Sequence, residues 1–544
     1  MALDTPLYHY NGRSFGNNFD ADLSFCQKYF QAISEFADLS FLKVYSQSGS
    51  VIEKTFTQFG QDVEAVRRQL ESEKESEKES VLVTIDGNTY AHCVFLVAGL
   101  LSDYIICPLN PNESKNRITD KINQIEAPCK VYVGLSWSIR NPNSTWKSME
   151  LQEHISVGKH NLPNKKEDFE RPFVYIFTSG TTGYSKIVQL PERAVLSNIS
   201  SLIKSHELLT RKAVFATAMP IFHVNTLIFS FMCNLLSGQQ LILFESYDIF
   251  NIIESLVEDR VQIFSANPSI LQTFVDFADR IHRRKIYLEY CVSAASSLSP
   301  ELATKFVTAF PFKLIQGYGL SEATNFSLLM PTALTKTRTD YWLTHFSRPS
   351  VGVELEGNSV VVLSEILTEL NCDLEGEICI RGHNVMLGYK NTNNNAVFAS
   401  GYLHTGDLGF YKICAETQRK FFFITGRSKD VIKRFGHTVS LVEIDDYLAK
   451  WLPRGVQAIA VPFLNSFSGE ELGVIVSDSA TDENLEGLKL FLVENIPAWM
   501  RPRVILQSLE LLRTESGKPR RWALANLFKE YNSKSFSEIP LVIK

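Results

Sequence analysis

Residues 175–186 read YIFTSGTTGYSK, and this run limits the possible folds more than any other stretch. Tyr175, Ile176 and Phe177 favour a strand. The chain then turns at once to Thr178, Ser179, Gly180, Thr181, Thr182 and Gly183. Gly180 and Gly183 permit backbone conformations closed to other residues and let main-chain N–H groups approach a ligand. The hydroxyls of Thr178, Ser179, Thr181 and Thr182 add donors, and Lys186 adds a positive charge. A strand ending in such a loop suits a ligand with many anionic oxygens, most simply a polyphosphate. The G-x-x-x-x-G-K-[ST] spacing is absent, so this is not a Walker A loop.

The strand needs a sheet, and the surrounding texture supplies one. Residues 80–85 and 104–109 read as buried strands on either side of an apolar helix at 91–101. That alternation predicts parallel βαβ layering. The rhythm returns with strands at 213–219 and 240–244 around an apolar helix at 226–236. Further short strands are expected at 261–266, 290–293 and 313–316. Ligands of open α/β sheets bind beyond the carboxyl ends of the strands. From about residue 352 the pattern changes to strands at 359–363, 376–381 and 420–425 without long helices, which predicts a separate β-rich unit. Beyond residue 426 a smaller α+β segment is expected, with helices at 442–452 and 485–493 and strands at 458–461 and 472–476.

Composition narrows the function classes. Lys+Arg 54 against Asp+Glu 60 gives a net charge of -6, which offers no electrostatic case for nucleic acid. The 9 cysteines form no C-x-x-C pair and are expected as reduced thiols in a cytoplasmic protein. The N-terminal residues lack the basic and apolar regions of a secretory leader. Apolar runs such as 93–101 are too short to cross a bilayer, which leaves peripheral membrane contact open. The charged run 71–80 (ESEKESEKES) is expected to be solvated.

Further motifs follow in order. Residues 316–322 read QGYGLSE, with Gly317 and Gly319 flanking Tyr318 and a carboxylate at Glu322. A carboxylate beside a phosphate loop repels the ligand unless it holds a cation, and Mg²⁺ takes oxygens from both. Residues 401–407 read GYLHTGD, where Asp407 follows a Thr-Gly turn that suits the diol of a ribose. Residues 425–430 read TGRSKD, and near the end Lys518 follows Ser516-Gly517.

The run TSGTTGYSK resembles the phosphate loop of the adenylate-forming superfamily of acyl-CoA synthetases, luciferases and peptide-synthetase adenylation domains. Ser185 stands where the family usually has Pro. QGYGLSE, GYLHTGD and TGRSKD resemble the family's later segments in the same order. The resemblance implies that Thr178–Gly183, Lys186, Ala294, Gly317, Tyr318 and Ser321 bind ATP or AMP, with Tyr318 stacked on adenine and Ser321 at a phosphate. It implies that Asp407 and Arg427 hold the ribose and that Glu322 holds Mg²⁺. Lys186, Glu322 and Lys518 become the candidate catalytic groups. Lys429 takes the hinge position, and Gly436 faces the incoming thiol. PIFHVN (220–225) resembles a segment that puts His223 at the acyl pocket, and Gly319 stands where acetate-specific relatives place a Trp.

The implied fold is a large N-terminal domain (1–428) of layered α/β subdomains plus a β-rich subdomain at about 352–428, followed by a small mobile α+β domain (429–544). The implied activity is ATP-dependent activation of a small carboxylate to an acyl-adenylate, followed by transfer to coenzyme A. The expected acid has a medium or long chain or an aryl group, and residues 226–236 are expected either to line an apolar tunnel or, at least as readily, to pack in the core. Alternatives are loading of a carrier-protein phosphopantetheine, a luciferase-like oxygenase, or a nucleotide-binding module without catalysis.

Overall fold

Short apolar runs alternate with helices from Ser40 onward, and hydrogen bonding gathers them into two large sheets. A computed structural model describes residues 9–10, 13–14, 23–74, 80–141, 145–149, 151, 169–178, 185–428, 430–434, 437–453, 455–466, 469–508, 511, 513, 519–537 and 539–543.

The 7-stranded sheet is centred on Val81–Ile85, which pairs in parallel with Ile105–Leu109 and Cys129–Val133. Every residue of Val81–Ile85 is buried, as the continuous apolar run requires of a strand covered on both faces. Helix Tyr90–Leu101 makes the crossover, and Thr89 caps it by accepting from the His92 amide. Outside Ile105–Leu109 lies Pro172–Thr178, then antiparallel Lys186–Pro191, then the two-residue strand Gly388–Tyr389.

The 13-stranded sheet has a parallel half made of Ser40–Tyr45, Gln240–Phe244, Val214–Thr217, Ile263–Ala266, Tyr290–Ser293 and Lys313–Gly319. The β-rich strands expected from about residue 352 form, and hydrogen bonding joins them to the parallel half. Phe326–Leu329 pairs antiparallel with Lys313–Gly319 on one side and with Ser350–Glu354 on the other. The ladder then continues through Lys420–Arg427, Leu403–Ile413, Gly376–Gly382 and Asn358–Leu363. The strand from Lys313 runs past the expected end at Gln316 because Gly317 and Gly319 admit close neighbours. The Phe326 ring lies against Gly317, and the Asn325 carbonyl lies against Gly319. One hydrophobic core extends from Phe25 to Phe423 and serves both halves.

The apolar helix expected at 226–236 is a π-helix, Asn225–Met232, that passes into α-helix Cys233–Ser237 and ends at Gly238 with φ +69°. All residues of Asn225–Met232 are buried.

After Gly426 the chain forms a hairpin of Val431–Arg434 and His437–Ser440, helix Leu441–Trp451 and helix Asp482–Asn495. A 4-stranded sheet follows, made of Ala458–Asn465, Gly469–Ser477, Val504–Ser508 and Leu541–Ile543. Its apolar residues form their own clusters, one around Leu448, Leu472 and Leu488 and another around Phe463 and Phe528. Arg348, from the larger part, pairs with Asp446 on helix Leu441–Trp451. Within the smaller part, Arg521 meets Asp445 at 2.5 Å and Asp430 at 3.3 Å. Among the described residues, no helix is long and apolar enough to cross a membrane.

Candidate active site

The strand expected at Tyr175 forms as Pro172–Thr178, and Thr178 faces Lys186 across an antiparallel pair. Ser179, Gly180, Thr181, Thr182 and Gly183 lie outside the described residues, as do Lys429, Gly436 and Lys518. The Lys186 ammonium stands 4.5 Å from the centre of the Tyr389 ring. The Tyr389 hydroxyl donates to Glu322 Oε1 at 2.6 Å. Burial, and then the Glu322 carboxylate, push the Tyr389 phenol well above its ordinary range. Lys186, Tyr389 and Glu322 therefore form a continuous chain of contacts between the two sheets.

Glu322 sits in the 3-10 turn Ser321–Ala323, which follows the strand Lys313–Gly319 after Leu320. Its carbonyl accepts from the Met386 amide at 2.9 Å, which ties this turn to the segment carrying Tyr389. Tyr318 reaches the other way. Its hydroxyl donates to Asp407 Oδ2 at 2.7 Å, while Arg427 Nε meets Asp407 Oδ1 at 2.8 Å. Asp407 and Arg427 are directly opposite each other on neighbouring antiparallel strands. The Asp407 carboxylate is buried and has both oxygens engaged. Burial and Asp407 hold the Tyr318 phenol up, and Asp407 is the chief reason that Arg427 holds its proton more firmly than usual.

The Asp407 turn is braced from behind. Gly406 adopts φ +71°. Its amide donates to Glu377 Oε1 at 2.8 Å, and Glu377 Oε2 meets His404 Nδ1 at 2.7 Å. The Thr405 hydroxyl accepts from the Asp407 amide at 3.0 Å and donates to the Ile378 carbonyl at 2.6 Å. Sequence reasoning missed Glu377 and Tyr389. Neither is near its partners in the chain, so local spacing carried no signal for them.

The other candidates are placed as follows. Ser321 is half-buried beside Glu322. Ala294 is buried just past the strand Tyr290–Ser293. Gly317 follows Gln316, which is level with Ser293 on the neighbouring strand. His223 is half-buried two residues before the π-helix. Two segments expected near the acyl pocket are closely packed. A Cβ on Gly319 would stand 1.5 Å from the Asn325 carbonyl oxygen, so a side chain there must displace the backbone. Of residues 226–236, all but half-buried Leu236 are buried, most of them in the main core.

A family model described as AMP-binding enzyme matches residues 34–390. The chain belongs to the AMP-binding enzyme family. Among relatives of this AMP-binding enzyme, an oxalate–CoA ligase of Arabidopsis thaliana is 28% identical over 364 residues, covering 66% of this chain and 68% of that protein. A 4-coumarate:CoA ligase of Petunia hybrida is 25% identical over 387 residues, covering 68% of each. The fold matches ATP-bound MatB from Rhodopseudomonas palustris with a TM-score of 0.78 at 18% identity, over 94% of this chain and 100% of that one. It also matches o-succinylbenzoate CoA synthetase from Bacillus subtilis, in complex with its acyl-adenylate, with a TM-score of 0.77 at 17% identity, over 94% and 99%.

The residues of this AMP-binding enzyme fit a magnesium ion. Glu322 is a half-buried carboxylate with one oxygen fixed by Tyr389. A single protein carboxylate beside a phosphate-bearing substrate is the usual provision for Mg²⁺.

Proposed function

We propose that this chain is an acid–coenzyme A ligase that works through an acyl-adenylate. The carrying observation is that two contact chains, Lys186–Tyr389–Glu322 and Tyr318–Asp407–Arg427, meet the same short segment at residues 318–322. The named relatives join acids to coenzyme A, which supports the same activity here. Asp407, steadied by Arg427, holds the ribose diol. Tyr318 offers its ring to the base. Lys186 and the loop at 179–183 receive the phosphates. Glu322 would hold Mg²⁺, which neutralises phosphate charge when bound.

In the first step a carboxylate oxygen attacks the α-phosphorus of ATP, and the bond to pyrophosphate breaks. Lys186 and Lys518 offset the charge that builds on the transferring group. In the second step a thiolate attacks the carbonyl carbon of the mixed anhydride, and AMP leaves. No protein side chain becomes a nucleophile. Residues 429–544 act as a small domain that turns about Lys429 between the steps, presenting first Lys518 and then the segment around Gly436.

The test is pyrophosphate release from Mg·ATP with a panel of acids, with and without coenzyme A. Acid-dependent release, with AMP and thioester formed only when the thiol is present, is the expected result. Release with a holo carrier protein and none with coenzyme A would reassign the acceptor. Nucleotide binding with no release towards any acid would reduce the chain to a binding module.

A further inference from the structure

Just past His223 and just past Glu322, the chain places two asparagines in contact. Asn225 opens the π-helix, and Asn325 follows the turn that carries Glu322. Both are buried, at 5% and 4% exposure. The Ser265 hydroxyl donates to Asn225 Oδ1 at 3.2 Å, and Asn225 Nδ2 donates to Asn325 Oδ1 at 3.3 Å. The relay ends at Asn325 Nδ2, which has no hydrogen-bond partner among the described residues. A buried amide left in that condition is costly unless something else accepts from it.

The backbone is held so as to present this group. Thr324 adopts φ +66°, a conformation that a β-branched residue rarely takes. Its hydroxyl is fixed on the Asn384 carbonyl at 2.6 Å. The bend turns Asn325 back against Gly319. Ser265 lies at the carboxyl end of a parallel strand, where ligands of such sheets bind. His223 and Val224 are only half-buried and Gly319 is exposed, so solvent reaches the rim of the relay.

Beneath the relay the space is filled. The Phe326 ring lies against Gly317 and packs edge-on against Phe229, with centroids 5.7 Å apart. Both rings are buried. These packed rings close that side of the relay. Among the described residues, no cation is bonded to Ser265, Asn225 or Asn325. A second carboxylate buried here would be uncompensated.

Resting on the ligase reading, we propose that the acid is short and carries an uncharged oxygen, as a hydroxyl or carbonyl group, that accepts from Asn325 Nδ2. This replaces the longer apolar acid expected from sequence.

The experiment compares kcat/KM for carbon-matched acids by pyrophosphate release: butyrate, 3-hydroxybutyrate and acetoacetate, with octanoate and malonate alongside. A hydroxy or oxo acid should exceed butyrate by about tenfold or more, because a site built to bond an oxygen rejects the analogue without one. Octanoate and malonate should be poorer still. Asn325→Leu should bring the oxygenated-to-alkyl ratio down to about 1, since the preference has lost its donor. Butyrate, octanoate or malonate used as well as the oxygenated acids would overturn the proposal, as would an unchanged ratio in a folded, ATP-binding Asn325→Leu. The wild-type panel decides the acid class even if that variant fails to fold. Silence towards every acid overturns the ligase reading and this inference with it, whereas turnover with the wrong preference overturns this inference alone.

Discussion

The Tyr318 hydroxyl donates to Asp407 Oδ2 at 2.7 Å across 89 residues of sequence, so the carboxylate proposed to bind ribose already has a partner at that oxygen. Arg427 holds the other oxygen at 2.8 Å. A ribose hydroxyl must replace Tyr318 or share Oδ2 with it. Tyr318→Phe removes the competitor and keeps the ring, so its Kd for ATP should stay the same or fall by up to about tenfold, the worth of one net hydrogen bond. Tyr318→Ala loses the ring and should bind ATP more weakly than wild type. Calorimetric titration with ATP checks both, and a Kd that rises more than about tenfold in Tyr318→Phe would show that the hydroxyl itself helps to hold the nucleotide.

Lys518 should serve the first step alone, because only that step needs a charge between the carboxylate and the α-phosphate. Lys518→Ala should slow acyl-adenylate formation by on the order of 10²-fold or more. Given synthetic acyl-adenylate and coenzyme A, the variant should make thioester at close to the wild-type rate. Equal losses in the two half-reactions would remove Lys518 from this role.

The Arg348–Asp446 pair must break if the small domain turns away from the arrangement seen here. Arg348→Ala should therefore speed the half-reaction that uses the other orientation and slow its counterpart. Lys429→Pro fixes φ at the proposed pivot and should cripple one half-reaction, most simply thioester formation. Separate single-turnover measurements of adenylate and thioester formation decide the matter. Wild-type rates for both steps in Lys429→Pro would place the rotation elsewhere or remove it.

Acid should destabilise the protein through its buried histidines. Burial first, and then the charge of Arg211, lower the pKa of His206 from an ordinary 6.5 to about 3. Its ring bonds the Tyr290 hydroxyl at 2.8 Å, stacks on the Tyr290 ring and lies tilted against Phe229. A lowered folded pKa means that the unfolded chain takes up the proton first as pH falls. The contribution of His206 is thus full above pH 6.5 and is lost as pH falls towards 3. Stability should drop by about 1.4 kcal/mol per pH unit in that window for this group. His92, buried as well, is shifted the same way and adds to the effect. Thermal melts from pH 8 to pH 4.5 should show a shallower acid limb in His206→Gln. An unchanged limb would assign the acid sensitivity to other groups.

Secondary structure was largely legible in the chain. The strands Val81–Ile85 and Gln240–Phe244 and the helices Tyr90–Leu101 and Leu441–Trp451 lie within a residue or so of their expected positions. Each has a clear apolar run or period, with a capping residue at several helix starts. The joining of the β-rich strands to the parallel half was not legible, because an apolar period fixes which face a strand buries and not which neighbour it takes. The π-helical turn at Asn225–Met232 was hidden for a similar reason, since an apolar run buried all round has no stripe from which to count residues per turn.

The sequence by itself determined the class of chemistry. Thr178, Lys186, Gln316–Glu322, Asp407 and Arg427 lie in ordered motifs whose residue types already suit phosphate, magnesium and ribose. Only the tertiary structure decided how they connect: Tyr389 between Lys186 and Glu322, and Glu377 behind the Asp407 turn. It also decided what meets Gly319 and Asn225. Gly319 has the Asn325 backbone against it, and Asn225 and Asn325 meet across 100 residues of chain. Local motifs record which atoms a site contains. Whether a glycine faces open space or another strand, and whether a buried amide finds a partner, depends on chain segments that meet only when the sheets close.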